Sequence, residues 1–167
     1  MSYLAVFLEL VETNWFVASL CMVGVLICLY AIKVETVGFS EKKAYGKPQY
    51  RQICDVNESM SCTLVLTSKY SHMVKLIFGL TDKSIFNYSN AQYGFAIYVG
   101  LLVVQFYPFT LLPYYDLVFL IVTGSSVLAS MGLAWILYSV LHNFCLICFC
   151  MYMVNGLMFT SAIMRML

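Results

Sequence analysis

The sequence predicts an all-α integral membrane protein: a four-transmembrane-helix bundle with a long loop between helices 1 and 2. Hydrophobic residues make up 62% of the 167 residues and charged residues only 10%, whereas a soluble domain is about half apolar and one quarter charged. Four apolar stretches have no charged residue in their interior, and two of them have one charged residue at an end. A formal net charge of +1 offers no basic surface for a nucleic acid, so none is expected as a partner.

Each apolar stretch can run about 25 Å or more as a helix, close to the roughly 30 Å hydrocarbon core of a bilayer. No basic cluster precedes the first stretch, so we expect it to remain as a span rather than act as a signal peptide. The second is the shortest and ends before Pro108. Within a single membrane domain, 1–167, we place the helices at residues 15–32, 91–107, 116–141 and 144–165.

The connections between these helices are unequal in length. Residues 33–90 form one polar loop, in which we expect irregular backbone over 34–52 and, within 62–80, a short helix beside an apolar interfacial patch. His142 and Asn143 make a tight turn, so helices 3 and 4 are antiparallel neighbours. With four spans, the long loop and this turn lie on the same side of the membrane.

Two arguments about the sidedness of the loop disagree. All but one of the nine Lys and Arg residues lie in it, which favours the cytoplasm, although this rule weakens for loops near sixty residues. Paired cysteines favour an oxidising compartment, and glycosylation triplets begin at Asn57 and Asn87. We favour the lumen.

Two cysteine pairs carry the chemistry of this chain. Cys145 and Cys148 form a C-x-x-C pair that we place in the first turn of helix 4, where the helix dipole favours a thiolate. Tyr152 and Asn155 follow on the same helix face. Cys54 and Cys62 lie in the loop, on the side of the membrane that holds Cys145. This arrangement predicts thiol–disulfide transfer toward a lipid-soluble oxidant.

Other interpretations of these residues remain open. Cys54 and Cys62 could form a structural disulfide in a non-enzymatic scaffold, and Tyr152 alone could be an ordinary interfacial tyrosine. A zinc site is not expected, since two of the four sulfurs would lie partly in lipid. Asn90 is most simply the N-cap of helix 2. Packing is the expected role of the remaining cysteines, which are Cys21, Cys28 and Cys150.

The chain resembles the vitamin K epoxide reductase family over nearly its whole length. The matching features are LCMVGVLICLYAIKV in helix 1, Cys54-Asp-Val and Ser61-Cys62 in the loop, Ser84-Ile-Phe-Asn-Tyr-Ser-Asn90, Leu133-Ala-Trp-Ile-Leu137, and Cys145-Leu-Ile-Cys148 followed by Tyr152. The order and spacing of the four cysteines agree with the family pattern.

The resemblance implies a four-helix bundle around a quinone pocket in the endoplasmic reticulum membrane, with the active site facing the lumen. Cys148 would attack the substrate and Cys145 would resolve the adduct. Cys62 would exchange with Cys145, and Cys54 would receive electrons from a thioredoxin-like lumenal protein. Asp55 would help hold the loop.

The resemblance also implies which residues bind substrate. Asn90 and Tyr152 would hydrogen-bond the naphthoquinone head group, and Tyr93 is expected beside them. Where vertebrate members have Arg-Trp-Gly-Arg-Gly-Phe-Gly, this chain has Lys69-Tyr-Ser-His-Met-Val-Lys75, so Tyr70 would replace the Trp as an aromatic lid over the pocket.

The expected function is a membrane thiol–disulfide oxidoreductase that reduces vitamin K epoxide, vitamin K quinone or both. Vitamin K is the substrate, no cofactor or metal is expected to bind tightly, and a coumarin-type compound is a possible inhibitor. The alternative is a quinone-linked disulfide generator that oxidises thioredoxin-like partners.

Overall fold

The computed structural model describes residues 14–46, 52–55, 57, 60–79, 87–105 and 114–167. Within these ranges every regular element is a helix. Extended pairing is confined there to isolated bridges between Asn57 and Met60 and between Met60 and Phe144. The predicted all-α fold class is confirmed for the part of the chain that is described.

The first helix is much longer than predicted. Helix α1 runs from Asn14 to Tyr45, 32 residues or about 48 Å, so it exceeds the roughly 30 Å thickness of a hydrocarbon core. The predictions that this helix ends at residue 32 and that irregular backbone begins at 34 were wrong. The charges after Ile32 suggested a loop, but one face of the extension, including Val34 and Glu35, is buried, and this packing keeps it helical.

Three short helices follow in the predicted loop region. They are α2 (Cys62–Leu66), a 3-10 helix (Lys69–His72) and α3 (Met73–Phe78). The side chains of Ser61 and Ser68 accept hydrogen bonds at the starts of the first two, and Gly79, with φ 60°, ends the third. We call residues 69–78 the cap segment.

Helix α4 (Asn90–Val104) starts with a capping box, in which Ser89 and Gln92 bond to each other's backbone N–H groups. Asn90 is therefore the first helical residue and not the predicted N-cap. With 15 residues the helix is about 22 Å long, shorter than a full span. The last two residues of the predicted helix 2, 106 and 107, lie outside the described residues.

The last two long helices match their predicted positions closely. Helix α5 (Tyr115–Ile136) continues as a π-helix over Leu137–Leu141, and α6 covers Leu146–Met166. His142 has φ 48° in the turn between them. Among the described residues, α1, α5 with its π-helical extension, and α6 are long and apolar enough to cross a membrane, so three of the four predicted spans meet this criterion.

Close helix packing places the core at the centre of the bundle. Helices α4 and α6 lie against α1, and α5 lies against α6. A Cβ at Gly24 would come within 2.6 Å of the Tyr98 ring, and one at Gly94 within 3.2 Å of Cys28 Sγ, so small residues let α1 and α4 approach. Cys21 and Cys28 are buried in this core, which agrees with their expected packing role.

The outer surface of the bundle is apolar. Trp135 and Leu128 are each 70% exposed, and many other large hydrophobic side chains on the long helices also face outward. An exposed apolar surface of this extent is costly in water, so it supports a membrane setting.

Candidate active site

A cavity of about 500 Å³ opens between the helices and the cap segment. Cys148 lines it, and so do all the residues expected to bind substrate, which are Tyr70, Asn90, Tyr93 and Tyr152. Most of the remaining wall is apolar, with contributions from Leu66, Ile97, Leu133 and Met151. Its size and apolar character suit a small aromatic ligand.

The four cysteines of the two predicted pairs meet beside this cavity. Cys54, Cys62 and Cys145 are buried in one cluster, and Cys148 packs against it. Contacts run from Cys54 to Cys62, from Cys62 to Cys145, and from Cys145 to Cys148. All four are free thiols. A continuous row of sulfur atoms therefore connects the loop to the cavity, and of the four cysteines Cys148 alone lines it.

The start of α6 positions the C-x-x-C pair. Cys145 was predicted in the first turn, but it is the N-cap: its backbone is extended, and its Sγ accepts a hydrogen bond from the Cys148 N–H at 3.3 Å. This bond uses one of the free N–H groups at the helix start. Cys148 lies one turn further into the helix and reaches the cavity.

Asp55 holds the loop cysteines in place, as expected from the resemblance. Its carboxylate accepts hydrogen bonds from the Gln52 N–H at 3.2 Å, the Ser61 hydroxyl at 2.9 Å, and both the N–H and the hydroxyl of Thr63. The Asn143 side chain then accepts from the Ser61 N–H at 2.9 Å. The loop is thereby bonded to the turn before α6, which sets Cys62 against Cys145.

The surroundings of Cys54, Cys62 and Cys145 raise the pKa of each of these three thiols. Burial, followed by the contact with Cys62, raises the pKa of Cys54 to about 12. The contact with Cys145, followed by burial, raises the pKa of Cys62, and the contact with Cys148 raises that of Cys145. At Cys145 the contact with the Cys148 thiol and burial raise the pKa, and together they outweigh the contact with Cys62 and the Cys148 N–H at the helix start, which lower it in the direction predicted from the helix start.

The pKa of Asp55 is lowered, in contrast to those of the thiols. Burial opposes the charged carboxylate, but the hydrogen bonds from Thr63, Ser61 and Gln52 outweigh burial and hold the pKa of Asp55 below its ordinary value. The carboxylate is thus an acceptor at neutral pH, which the four donors around it require.

Comparison with known proteins identifies the family of this chain. A family model described as the vitamin K epoxide reductase family matches residues 15–163. The chain belongs to this family. It is similar to vitamin K epoxide reductase complex subunit 1 of Rattus norvegicus, with 33% identity over 146 residues, 86% of this chain and 84% of the relative. The Mus musculus protein of the same name is 32% identical over the same shares. The family predicted from the sequence motifs is confirmed.

The side chains of Asn90 and Tyr152 in the cavity differ in the number of hydrogen bonds that they already make. The Asn90 side chain accepts from the Met73 N–H at 3.1 Å and donates to the Tyr70 carbonyl at 2.8 Å, so it ties the cap segment to α4 and keeps one N–H. Among the described residues, the buried Tyr152 hydroxyl has no hydrogen-bond partner. Both groups are therefore able to donate to an oxygen of a bound ligand.

A hydrogen-bonded row deeper in the cavity was not predicted as a functional group. The Tyr98 hydroxyl donates to Asn155 at 2.6 Å, and the Asn155 amide donates to the Ser130 hydroxyl at 2.8 Å. All three residues line the cavity. The sequence placed Asn155 on the Cys148 face of its helix, but it gave no signal for the partners on α4 and α5.

Glu35 is a second group that the sequence did not single out. It lies on the extension of α1 that was predicted to be irregular, is only 5% exposed and lines the cavity. A buried acidic residue in a helix with a membrane-spanning segment is unusual and is most often functional. Once α1 is known to continue, the spacing of Cys28, Ala31 and Glu35 places them on one helix face.

A second, smaller cavity of about 440 Å³ lies on the other side of the C-x-x-C pair. Cys145 lines this cavity but not the first, whereas Tyr152 lines both. The two sulfurs of the pair therefore face different spaces, and Cys150, as predicted, points away from both.

Proposed function

We propose that the protein is a membrane thiol–disulfide oxidoreductase that reduces vitamin K epoxide, vitamin K quinone or both with electrons from a lumenal dithiol. The observation that carries this proposal is the row of four sulfurs that ends at Cys148 in an apolar cavity. Membership of the vitamin K epoxide reductase family supports the substrate class. The relatives' names support it too, since each is called a vitamin K epoxide reductase complex subunit.

The proposed electron path follows the order of the sulfurs. A thioredoxin-like lumenal dithiol reduces a Cys54–Cys62 disulfide and is itself oxidised. The Cys62 thiolate then attacks a Cys145–Cys148 disulfide at Cys145, and Cys54 closes the loop disulfide again, which leaves the C-x-x-C pair reduced. Each exchange breaks one S–S bond and forms another, so two electrons move toward the cavity without a metal.

The proposed substrate step uses the two thiols of the C-x-x-C pair. The Cys148 thiolate attacks a carbon of the epoxide or quinone and forms a C–S bond, and the substrate oxygen takes a proton. Cys145 then attacks Cys148 Sγ, which breaks the C–S bond and forms the 145–148 disulfide. In the epoxide, the attack breaks one C–O bond of the ring, and the electron pair released when the C–S bond breaks expels the resulting hydroxyl as water, which leaves the quinone. In the quinone, the same electron pair stays on the ring, which leaves as hydroquinone. Each reaction passes two electrons and two protons from the two thiols to the substrate.

Hydrogen-bond donors in the cavity would stabilise the oxygen on which charge develops. The unpartnered Tyr152 hydroxyl and the remaining N–H of Asn90 are suitable groups, and a preorganised donor of this kind typically contributes about 3 kcal/mol to the transition state. Tyr70 and Tyr93 would pack on the ring faces, since aromatic pairs favour stacked or edge contacts.

The experiment is turnover of vitamin K epoxide and of vitamin K quinone by the purified protein, with a small dithiol as reductant. Cys148→Ala is expected to abolish both reactions, because it removes the attacking sulfur. Cys150→Ala is the matched control, two residues away and outside the cavity, and it is expected to keep wild-type turnover. Retention of activity by Cys148→Ala would contradict the mechanism.

The two substrates also separate this function from the alternative. A disulfide generator that uses the quinone only as an electron acceptor would reduce the quinone and leave the epoxide unchanged. Turnover of the epoxide by the wild-type protein supports the epoxide reductase, whereas quinone turnover alone favours the disulfide generator.

A further inference from the structure

The contacts that attach the cap segment to the bundle include one with Asn90 and one with Glu35. Asn90 on α4 bonds to the backbone at Tyr70 and Met73. On the other side, the hydroxyls of Ser71 and Ser89 lie against the Glu35 carboxylate, while the Ser71 hydroxyl donates its proton to the Ser68 carbonyl at 2.9 Å. Glu35, on α1, thus contacts both the cap segment and the N-cap residue of α4.

His72 extends this contact on the cap segment. Its Nδ1 lies 4.0 Å from Glu35 Oε1 and 2.9 Å from the Ser71 hydroxyl, and its ring meets Phe39 edge-on at 6.2 Å between centroids. One turn after Glu35, a Cβ at Gly38 would come within 2.6 Å of Thr67. The extension of α1 therefore packs closely against Thr67 and against the cap segment.

The position of these contacts connects them to the cavity. Glu35 and Ser71 line it, together with Tyr70 and Asn90, which the proposed function assigns to substrate binding. A carboxylate that is 5% exposed is costly to bury unless its partners compensate. The residues that contact Glu35 belong to the cap segment, which covers the cavity, and to the start of α4.

We propose that Glu35 is a positioning residue that latches the cap segment over the cavity through Ser71 and Ser89. With the latch intact, Tyr70 and Asn90 are held against the space beside Cys148. Without it, the cap segment is held less firmly over the cavity, and both the affinity for an aromatic substrate and the protection of Cys148 fall. The effect on substrate rests on the proposed function, but the protection of Cys148 does not.

The test compares Glu35→Leu, which removes the polar contacts of this side chain with the cap segment and Ser89, with Glu35→Gln, which keeps a polar acceptor. Cys148 alkylation by a maleimide, followed by mass spectrometry of the peptide, measures opening directly. Glu35→Leu is expected to speed alkylation about 10-fold and raise KM about 10-fold, the size expected for losing the polar contacts of one buried carboxylate, while kcat changes little. Glu35→Gln is expected to restore both values most of the way to wild type.

Two further variants keep the test decisive. Ser71→Ala removes the cap-segment side of the latch without changing α1, so it is expected to speed alkylation even if Glu35→Leu folds poorly. Glu41→Leu makes the same change on α1 outside the cavity lining and is expected to leave alkylation and KM unchanged.

Distinct outcomes separate the latch from the proposed function. Unchanged Cys148 alkylation in both Glu35→Leu and Ser71→Ala overturns the latch, even if the melting temperature falls. Faster alkylation in these variants, together with wild-type protein that turns over neither vitamin K epoxide nor quinone, supports the latch and overturns the proposed function.

Discussion

Replacing Asp55 by Asn is expected to open the loop that carries Cys54 and Cys62. The Asp55 carboxylate accepts four hydrogen bonds, two at each oxygen. An Asn side chain keeps one acceptor oxygen and places an NH₂ donor where the second oxygen faced the Gln52 N–H and the Thr63 hydroxyl. Those two donors lose their acceptor.

The magnitude follows from the two lost bonds. A hydrogen bond to a charged group is worth about 1.5–3 kcal/mol when buried, but Asp55 is only half-buried, so water replaces part of the loss. We expect the free energy of opening the loop to fall by about 2 kcal/mol, which raises the open population roughly 30-fold.

The assay is alkylation of Cys62, which is fully buried in the closed loop. Reduced protein is pulsed with a maleimide, and the Cys62 peptide is quantified by mass spectrometry. Asp55→Asn is expected to speed this reaction roughly 30-fold, whereas Asp116→Asn, an exposed residue in the first turn of α5, is the control and is expected to have no effect. Equal Cys62 alkylation in Asp55→Asn and wild type would refute the role assigned to Asp55.

Two other predictions concern the sulfurs and the helix packing. Because the pKa of Cys54 is raised to about 12, only a small fraction of this thiol is ionised at neutral pH. The rate of its exchange with a small disulfide reagent is therefore expected to rise about 10-fold per pH unit from pH 7 to 10. A plateau of the rate near pH 9, as for an ordinary thiol, would contradict this. The Cβ added by Gly24→Ala meets the Tyr98 ring at 2.6 Å, so this variant is expected to destabilise the bundle by about 1–3 kcal/mol in a thermal melt. Gly100→Ala is the control, since its Cβ has nothing within 4 Å, and it is expected to leave stability unchanged. Equal melting temperatures for the two variants would count against the close α1–α4 contact.

The sequence predicted that the two cysteine pairs can reach one another, and the cluster of their sulfurs in the described part of the chain confirms this. The short turn at His142 and the number of spans placed Cys54 and Cys62 on the same side as Cys145, and the three are buried together. Cys148 and Tyr152 were placed on one helix face by their spacing alone, and both line the large cavity. Local periodicity and connectivity are enough for such relations.

The sequence failed where tertiary packing overrides composition. The polar residues after Ile32 indicated a loop, but the buried face around Glu35 and Gly38 continues α1 to Tyr45. The pairing of Tyr98 with Asn155 joins two helices that are distant in the chain, so no local pattern could reveal it. The raised pKa of Cys145 depends on its contact with Cys148 and on burial, which spacing alone does not show.

The central claim is that electrons reach the cavity by exchange between Cys62 and Cys145, and a trapped disulfide tests it most directly. In a Cys54→Ala, Cys148→Ala double variant the proposed partners of these two sulfurs are removed, so mild oxidation is expected to leave Cys62 and Cys145 linked to each other. Mass spectrometry of the cross-linked peptides identifies the pair. The account predicts that the Cys62–Cys145 disulfide predominates; if both stay free, or if Cys62 pairs with Cys21, Cys28 or Cys150 instead, the account is contradicted.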